Sequence, residues 1–294
     1  MKRIYVTLAT VLFIVGSTSA QYDDRFYSPS KSWQEIAGLQ FEEFWFESDS
    51  LPLHGMLFHP EGEAKAFVLF YHGSGGNIST NAGMARLLTS SGYRVFMIDF
   101  RGYGKSGGTP THLNIAKDAQ LVMDKLKEQQ IFEDLPLLIY GASMGTQIAT
   151  KMAKDNAAMV DGIVLDGTIS SFTDMALLSV PPEQHAMIRQ YVKSPYAAKW
   201  DIKACPAMPK LFIHSKEDKS VPIYQAREVF KNAPDPKTFW MYEGGHLQAA
   251  AKHPEMLCQK LDALVSQIIE KKAKEQQTKN RFHDSQRDSE TSSE

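Results

Sequence analysis

Short apolar runs alternate with longer amphipathic stretches along most of this chain. Runs at 66–71, 93–100, 135–140, 162–165, 210–214 and 238–242 are rich in β-branched and aromatic residues and too short to make helices. Between them, 80–91, 112–130, 144–153, a stretch after Pro222 and 254–272 carry helical patterning. Strand and helix in strict alternation predict a largely parallel sheet with crossover helices on both faces, an α/β fold. Two earlier strands, 39–47 and 51–59, are joined by Ser48-Asp49-Ser50 and predict a hairpin at one sheet edge.

Three segments break this rhythm. Residues 169–209 are longer than a direct crossover needs and mix helix and turn signals around Pro181-Pro182, with Met175, Leu177-Leu178, Met187-Ile188 and Tyr191 among them. They predict a small lid. Residues 273–294 are almost wholly polar and predict a disordered tail. At the other end, Lys2 and Arg3 precede an apolar run at 4–16, with Thr18 and Ala20 placed three and one before Gln21. That is the layout of a secretory signal peptide, residues 1–20, and it predicts an exported, periplasmic or secreted protein. The apolar run falls short of the roughly 20 residues of a comfortable bilayer span, so the uncleaved anchor is the lesser alternative. Residues 21–37 read as a leader ordered by contact with one domain, 21–272.

Composition narrows the partners. The chain has 294 residues, 43% of them hydrophobic, enough for one large core. A formal net charge of −2 gives no global field to gather nucleic acid or anionic lipid. Membrane contact is expected only through the N-terminus or an acyl substrate. Export would allow the two cysteines, Cys205 and Cys258, to pair, while two separate buried thiols remain the alternative.

Candidate chemistry sits at strand ends. Gly141-Ala142-Ser143-Met144-Gly145 follows an apolar strand and precedes a helical stretch, the layout of a nucleophile elbow with Ser143 at its tip. Glycine two residues to either side lets strand and helix approach closely, and the helix's free amides favour negative charge near the serine. A serine hydroxyl needs a base. His246, in Glu243-Gly244-Gly245-His246, follows the strand ending at Tyr242, and the paired glycines allow its loop to swing the ring toward Ser143. Asp218 follows the preceding strand and suits the acid that orients His246. Asp166, at the end of an earlier strand, is its rival and is assigned instead to the lid entrance. Oxyanion donors are expected from the backbone N–H groups of Ser74 and Met144, with Gly73 as an alternative to Ser74 and His72 bracing the loop. Asp99 and Arg101 are expected to pair and shape a neighbouring turn.

On these residues the chain resembles the α/β-hydrolase superfamily, particularly small-lid members akin to the α/β-hydrolase-domain acyl-protein thioesterases. The likeness runs from about 39 to 272. Its most specific pieces are Tyr71-His72-Gly73 through Ser79, Asp99 through Ser106, the elbow, and His214 through Asp218 with Val221-Pro222. The resemblance implies the α/β-hydrolase fold with Ser143 as nucleophile, Asp218 as acid and His246 as base, cleaving carboxylic esters or thioesters without metal or cofactor. The nine histidines show no ligand-cluster spacing. Departures at Ser74, Gly75, Ser215 and Leu247-Gln248 leave the substrate open, because specificity lives in the pocket. The alternatives are a serine peptidase and a non-catalytic binding module on the same fold.

Overall fold

In a computed structural model of the chain, residues 19–132 and 134–291 are described. The expected signal peptide therefore lies outside the described residues except for Ser19 and Ala20. Among the described residues, no helix is long and apolar enough to cross a membrane.

The described residues begin with a 3-10 helix, Ser19–Phe26, and a two-residue strand β1 (Ser28–Pro29). The hairpin β2 (Gln40–Ser48) and β3 (Leu51–His59) follows, then β4 (Ala66–Tyr71), the short β5 (Gly75–Gly76), helix α1 (Ala82–Ser90) and β6 (Tyr93–Ile98). The pattern continues with α2 (His112–Glu128), β7 (Leu137–Ala142), α3 (Gly145–Asp155) and β8 (Gly162–Asp166). The insertion after β8 contains α4 (Phe172–Leu178), a 3-10 turn Pro182–Gln184, α5 (His185–Tyr191) and α6 (Ala198–Asp201). It returns through β9 (Lys210–Ser215), α7 (Ile223–Asn232), β10 (Lys237–Tyr242), α8 (Ala249–Lys252) and α9 (Pro254–Thr291).

Eight strands form one sheet in the order β10-β9-β8-β7-β4-β6-β3-β2. The β2–β3 and β3–β6 pairs are antiparallel and the rest parallel, so the hairpin sits at the edge where the pattern placed it. β4, β7, β8 and β9 are buried along their whole length, which is why they read as continuous apolar runs. Alternate residues of one strand serve opposite cores. Phe67, Leu69 and Tyr71 pack with Ile115, Val122 and Ile148 from α2 and α3, whereas Val68 and Phe70 pack with Leu88 of α1 and Leu257 and Leu261 of α9.

One expectation differs, and one open alternative is decided. Residues 273–291, expected to be disordered, continue α9. The stretch after Pro254 contains neither glycine nor proline and is rich in Lys, Glu and Gln, all good helix formers, with Lys271 and Glu275 paired one turn apart. The cysteines are both free. The buried Cys205 Sγ lies 3.8 Å from the Thr150 carbonyl, while Cys258 Sγ lies 2.9 Å from Ser91 Oγ. Burial pushes the Cys205 thiol up to about 12, so it stays protonated and inert.

Candidate active site

Ser143 occupies the sharp turn between β7 and α3 with φ at +52°, a left-handed conformation that costs a non-glycine residue free energy. The surrounding chain holds it there. The Ser143 N–H donates to the Asp166 carbonyl at 2.7 Å, and the Ser143 carbonyl accepts from the Thr146 N–H at 2.9 Å and the Thr146 hydroxyl at 2.6 Å. The flanking glycines are required by space: a Cβ on Gly141 would lie 2.5 Å from the Gly145 carbonyl oxygen. One on Gly145 would press into the Tyr71 carbonyl and lie 2.7 Å from that of His72.

His246 Nε2 lies 2.9 Å from Ser143 Oγ, and His246 Nδ1 lies 2.6 Å from Asp218 Oδ2. An ionised carboxylate only accepts, so the proton belongs on Nδ1 and Nε2 is left to accept from the serine. The other Asp218 oxygen accepts the backbone N–H groups of Ser220 at 2.9 Å and Val221 at 2.8 Å, which fixes the carboxylate plane. Burial works against the Asp218 charge, but the bonds from His246 and the Val221 amide outweigh it and hold the carboxyl below the usual carboxylate range. Gly167 makes room for the ring, since a Cβ there would stand 2.8 Å from His246 Cε1. Residues 103 positions apart in the chain are thus joined by one hydrogen bond.

Asp166, the rival acid, does not bond His246. Its expected place at the lid entrance is also corrected. It lies fully buried under the elbow, where its carboxyl accepts the Tyr140 hydroxyl at 2.9 Å and its Oδ1 has no partner. Burial raises this carboxyl to about 7, partly offset by the Tyr140 bond.

Ser74 and Met144 line a cavity of about 450 Å³ beside Ser143. The peptide group carrying the Ser74 N–H is oriented by His72, whose Nδ1–H donates to the Gly73 carbonyl at 2.7 Å. In a trans peptide the N–H points opposite to that carbonyl. The next peptide group is held as well: the Ser74 carbonyl accepts the Ser28 N–H at 2.8 Å and the Tyr103 hydroxyl at 2.6 Å. His72 is buried against Phe100 and Tyr103, and burial lowers its basicity, keeping it neutral. Apolar side chains from the insertion, among them Met175, Val180, Met187 and Ile188, form the outer wall. The arrangement can activate a serine hydroxyl next to a largely apolar recess that Ser74 and Met144 also line.

The expected Asp99–Arg101 pair is corrected. Arg101 forks onto Asp118 of α2, Nε to Oδ2 at 2.8 Å and Nη2 to Oδ1 at 2.7 Å, and also reaches Asp49 at 3.0 Å. Asp99 instead lies 2.8 Å from His54 Nδ1 and accepts the Ile78 N–H at 2.8 Å. The structure also adds two residues the pattern did not single out, Tyr103 and Tyr140. A tyrosine between two glycines, Gly102-Tyr103-Gly104, was the available signal for the first.

The doubly wound sheet, the strained serine turn and the histidine and acid following the last two strands give the chain the α/β-hydrolase fold. Comparison with known proteins agrees: a family model described as serine aminopeptidase, S33, matches residues 62–203, which takes in the Ser74 loop and Ser143 but stops before Asp218 and His246. The chain is 28% identical over 176 residues to protein bem46 of Schizosaccharomyces pombe, covering 60% of this chain and 58% of that protein. It is 25% identical over 229 residues to the mouse lysophosphatidylserine lipase ABHD12, covering 72% of this chain and 53% of the lipase. The chain thus spans little more than half the length of these two relatives. Among solved structures, the Pyrococcus furiosus esterase Pf2001 superposes with a TM-score of 0.67 at 15% identity, covering 82% of this chain and 98% of the esterase.

Proposed function

We propose that this protein is an exported serine hydrolase that cleaves carboxylic esters or thioesters. The observation that carries the reading is the hydrogen-bonded chain Ser143–His246–Asp218 opening on an apolar cavity beside two backbone amides. Ser143 Oγ attacks the acyl carbonyl as its proton passes to His246 Nε2, and the oxyanion takes hydrogen bonds from the Ser74 and Met144 N–H groups. His246 then returns the proton to the departing alcohol or thiol, leaving an acyl-enzyme on Ser143. Water, deprotonated by His246, attacks that ester, and the collapse of the second tetrahedral intermediate returns the proton to Ser143 and frees the acid. Asp218 keeps the ring in the reactive tautomer and stabilises its protonated form.

The names of the mouse lipase and of the Pyrococcus esterase support ester chemistry. The family model's description as a serine aminopeptidase supports peptide bonds as the alternative substrate, with the same residues in the same roles. Export rests on the N-terminal layout and predicts a mature protein beginning at Gln21, readable from intact mass.

Labelling with a fluorophosphonate probe tests the reading. The folded wild type should label, and Ser143→Ala and His246→Ala should not, with circular dichroism unchanged. Parallel panels of acyl esters, acyl thioesters and aminoacyl amides should favour the first two. Undiminished labelling in Ser143→Ala, or a folded wild type that neither labels nor turns over any panel, would sink it.

A further inference from the structure

The segment preceding the fold does more than cover it. Asp23 accepts the His112 N–H at 2.8 Å, and Tyr27 OH lies 2.6 Å from His112 Nδ1. His112 stacks on Phe172, the first residue of α4, at 3.5 Å between ring centroids. Further along, Asn77 Nδ2 donates to the Ser30 and Ser32 carbonyls at 3.0 and 2.7 Å, and the Gly104 N–H donates to Ser30 at 2.9 Å. Between these two anchorages, β1 pairs in parallel with β5, with Ser28 opposite Gly75 and Pro29 opposite Gly76. Residues 22–29 are therefore a strap fastened at one end to His112 at the start of α2, which itself stacks on the insertion, and at the other to the Ser74 loop and the Gly104 turn.

This strap reaches the reacting centre in two ways. Among the described residues its Ser28 N–H is one of two donors to the Ser74 carbonyl, the other being the Tyr103 hydroxyl. A loop whose peptide planes are free to turn offers no preorganised N–H; fixing the Ser74 carbonyl holds the Ser74–Gly75 peptide group, the one next to the Gly73–Ser74 group whose N–H the oxyanion would meet, and so limits how far that loop can turn. Second, Tyr22, Arg25 and Phe26 line the cavity that holds Ser143, and Arg25 is the only charged side chain among the described residues lining it. Arg25 makes no ion pair among the described residues. Its guanidinium lies 5.5 Å from the Tyr22 ring, and the adjacent Asp24 is exposed and does not line the cavity. A largely apolar recess lined by one exposed guanidinium that has no ion pair among the described residues fits an amphiphile, an acyl chain joined to an anionic group.

Resting on the serine-hydrolase reading above, we propose that the strap 22–29 is a working wall of the catalytic centre, holding the Ser74 loop in register for the oxyanion and, through Arg25, selecting acyl esters that carry a carboxylate or phosphate group.

Two variants test the first half, both made in the full chain and checked for folding by circular dichroism. Ser28→Pro removes the donating N–H, and Tyr103→Phe removes the other donor without touching the strap. In each, kcat on a neutral acyl ester should fall roughly tenfold to a hundredfold, less than loss of a whole oxyanion donor, while KM stays close to the wild type. If Ser28→Pro does not fold, Tyr103→Phe carries the test alone. Wild-type kcat in the folded variants would overturn this half.

For the second half, kcat/KM is compared for octanoylglycerol, its glycerol phosphate counterpart and a carboxylate-bearing octanoyl ester. Wild type should favour the anionic esters, and Arg25→Gln should reduce that preference roughly tenfold, the scale of one charge-assisted contact. A loss confined to the phosphate or to the carboxylate ester identifies which anion the site takes. An unchanged ratio overturns the assignment. Ester turnover that survives Ser143→Ala would instead remove the underlying reading, a result separable from all of these.

Discussion

The backbone amide of Ser143 donates to the carbonyl of Asp166 at 2.7 Å, so the proposed nucleophile hangs from the end of β8 as well as from its own strand. The Asp166 side chain below is a carboxyl that burial raises to about 7. Its unfolded value is near the ordinary 3.9 or so for aspartate. The folded protein therefore holds this proton more tightly than the unfolded chain. The stability so gained is fully present below the unfolded value and is lost as pH rises through about 7. Asn is the shape of the protonated acid and can accept the Tyr140 hydroxyl in the same way. Asp166→Asn should therefore remove this pH-linked loss, giving a smaller fall in urea-unfolding stability between about pH 4 and 8 than the wild type shows. A variant with the wild type's pH slope would place the burden on other groups.

Asp218→Asn tests the orientation of His246. The amide keeps the shape of the carboxyl, but its NH₂ cannot accept the Nδ1 proton, so the ring is driven toward the wrong tautomer. Turnover should fall on the order of 10⁴-fold at neutral pH with the fold intact. Because the folded Asp218 carboxyl sits below its usual range, its stabilising contribution is present above the ordinary carboxylate value and is lost as pH falls through the lowered one. Wild type should lose stability through this group only in acid, and Asp218→Asn should be less acid-sensitive in the same titration.

The glycine before α3 sets the closest approach in the site. Gly145→Ala places a methyl against the Tyr71 and His72 carbonyls, which belong to the strand and loop leading to Ser74. Overpacking of this kind costs about 1–3 kcal/mol and displaces backbone. We expect a lowered thermal midpoint together with a fall in kcat, because relief of the clash moves Ser143 and the Ser74 loop apart. A variant with wild-type midpoint and kcat would mean that helix and loop separate without disturbing the site.

How much of this was legible depended on where the information resides. The parallel strands stand out because burial on both faces demands unbroken apolar runs, and Ser143 stands out because its turn demands two glycines at fixed spacing. Gly244 and Gly245 marked the loop that brings His246 to the serine for a similar reason. Interactions made by the backbone leave no such trace: the Ser28 N–H on the Ser74 carbonyl, or the Asp166 carbonyl on Ser143, could be made by any residue other than proline at the donor. Charge pairing was misread at Arg101 because nearness in sequence favours Asp99, whereas folding brings α2 alongside. The polar tail was misread because low hydrophobicity argues against a core but not against a single helix of Lys, Glu and Gln.

That misread pair sets the last prediction. Arg101 and Asp118 are almost wholly removed from solvent, with side-chain exposures of 7% and 0%, and they form a two-pronged contact further satisfied by Ser48. Two buried charges gain little over an apolar pair, but one left without the other is costly. Asp118→Ala should therefore destabilise the protein by about 3–5 kcal/mol in urea unfolding. Arg101→Met combined with Asp118→Leu should recover most of that loss, since it removes both charges and refills the space. Arg101 opens the turn that carries Tyr103, the hydroxyl donor to the Ser74 carbonyl. In the single variant the guanidinium keeps only the half-exposed Asp49 as an acidic partner, is drawn toward it and solvent, and pulls that turn with it, so kcat should fall alongside stability. In the double variant the stability should return first, and the extent to which kcat follows measures how far the ion pair, rather than packing alone, sets the position of Tyr103.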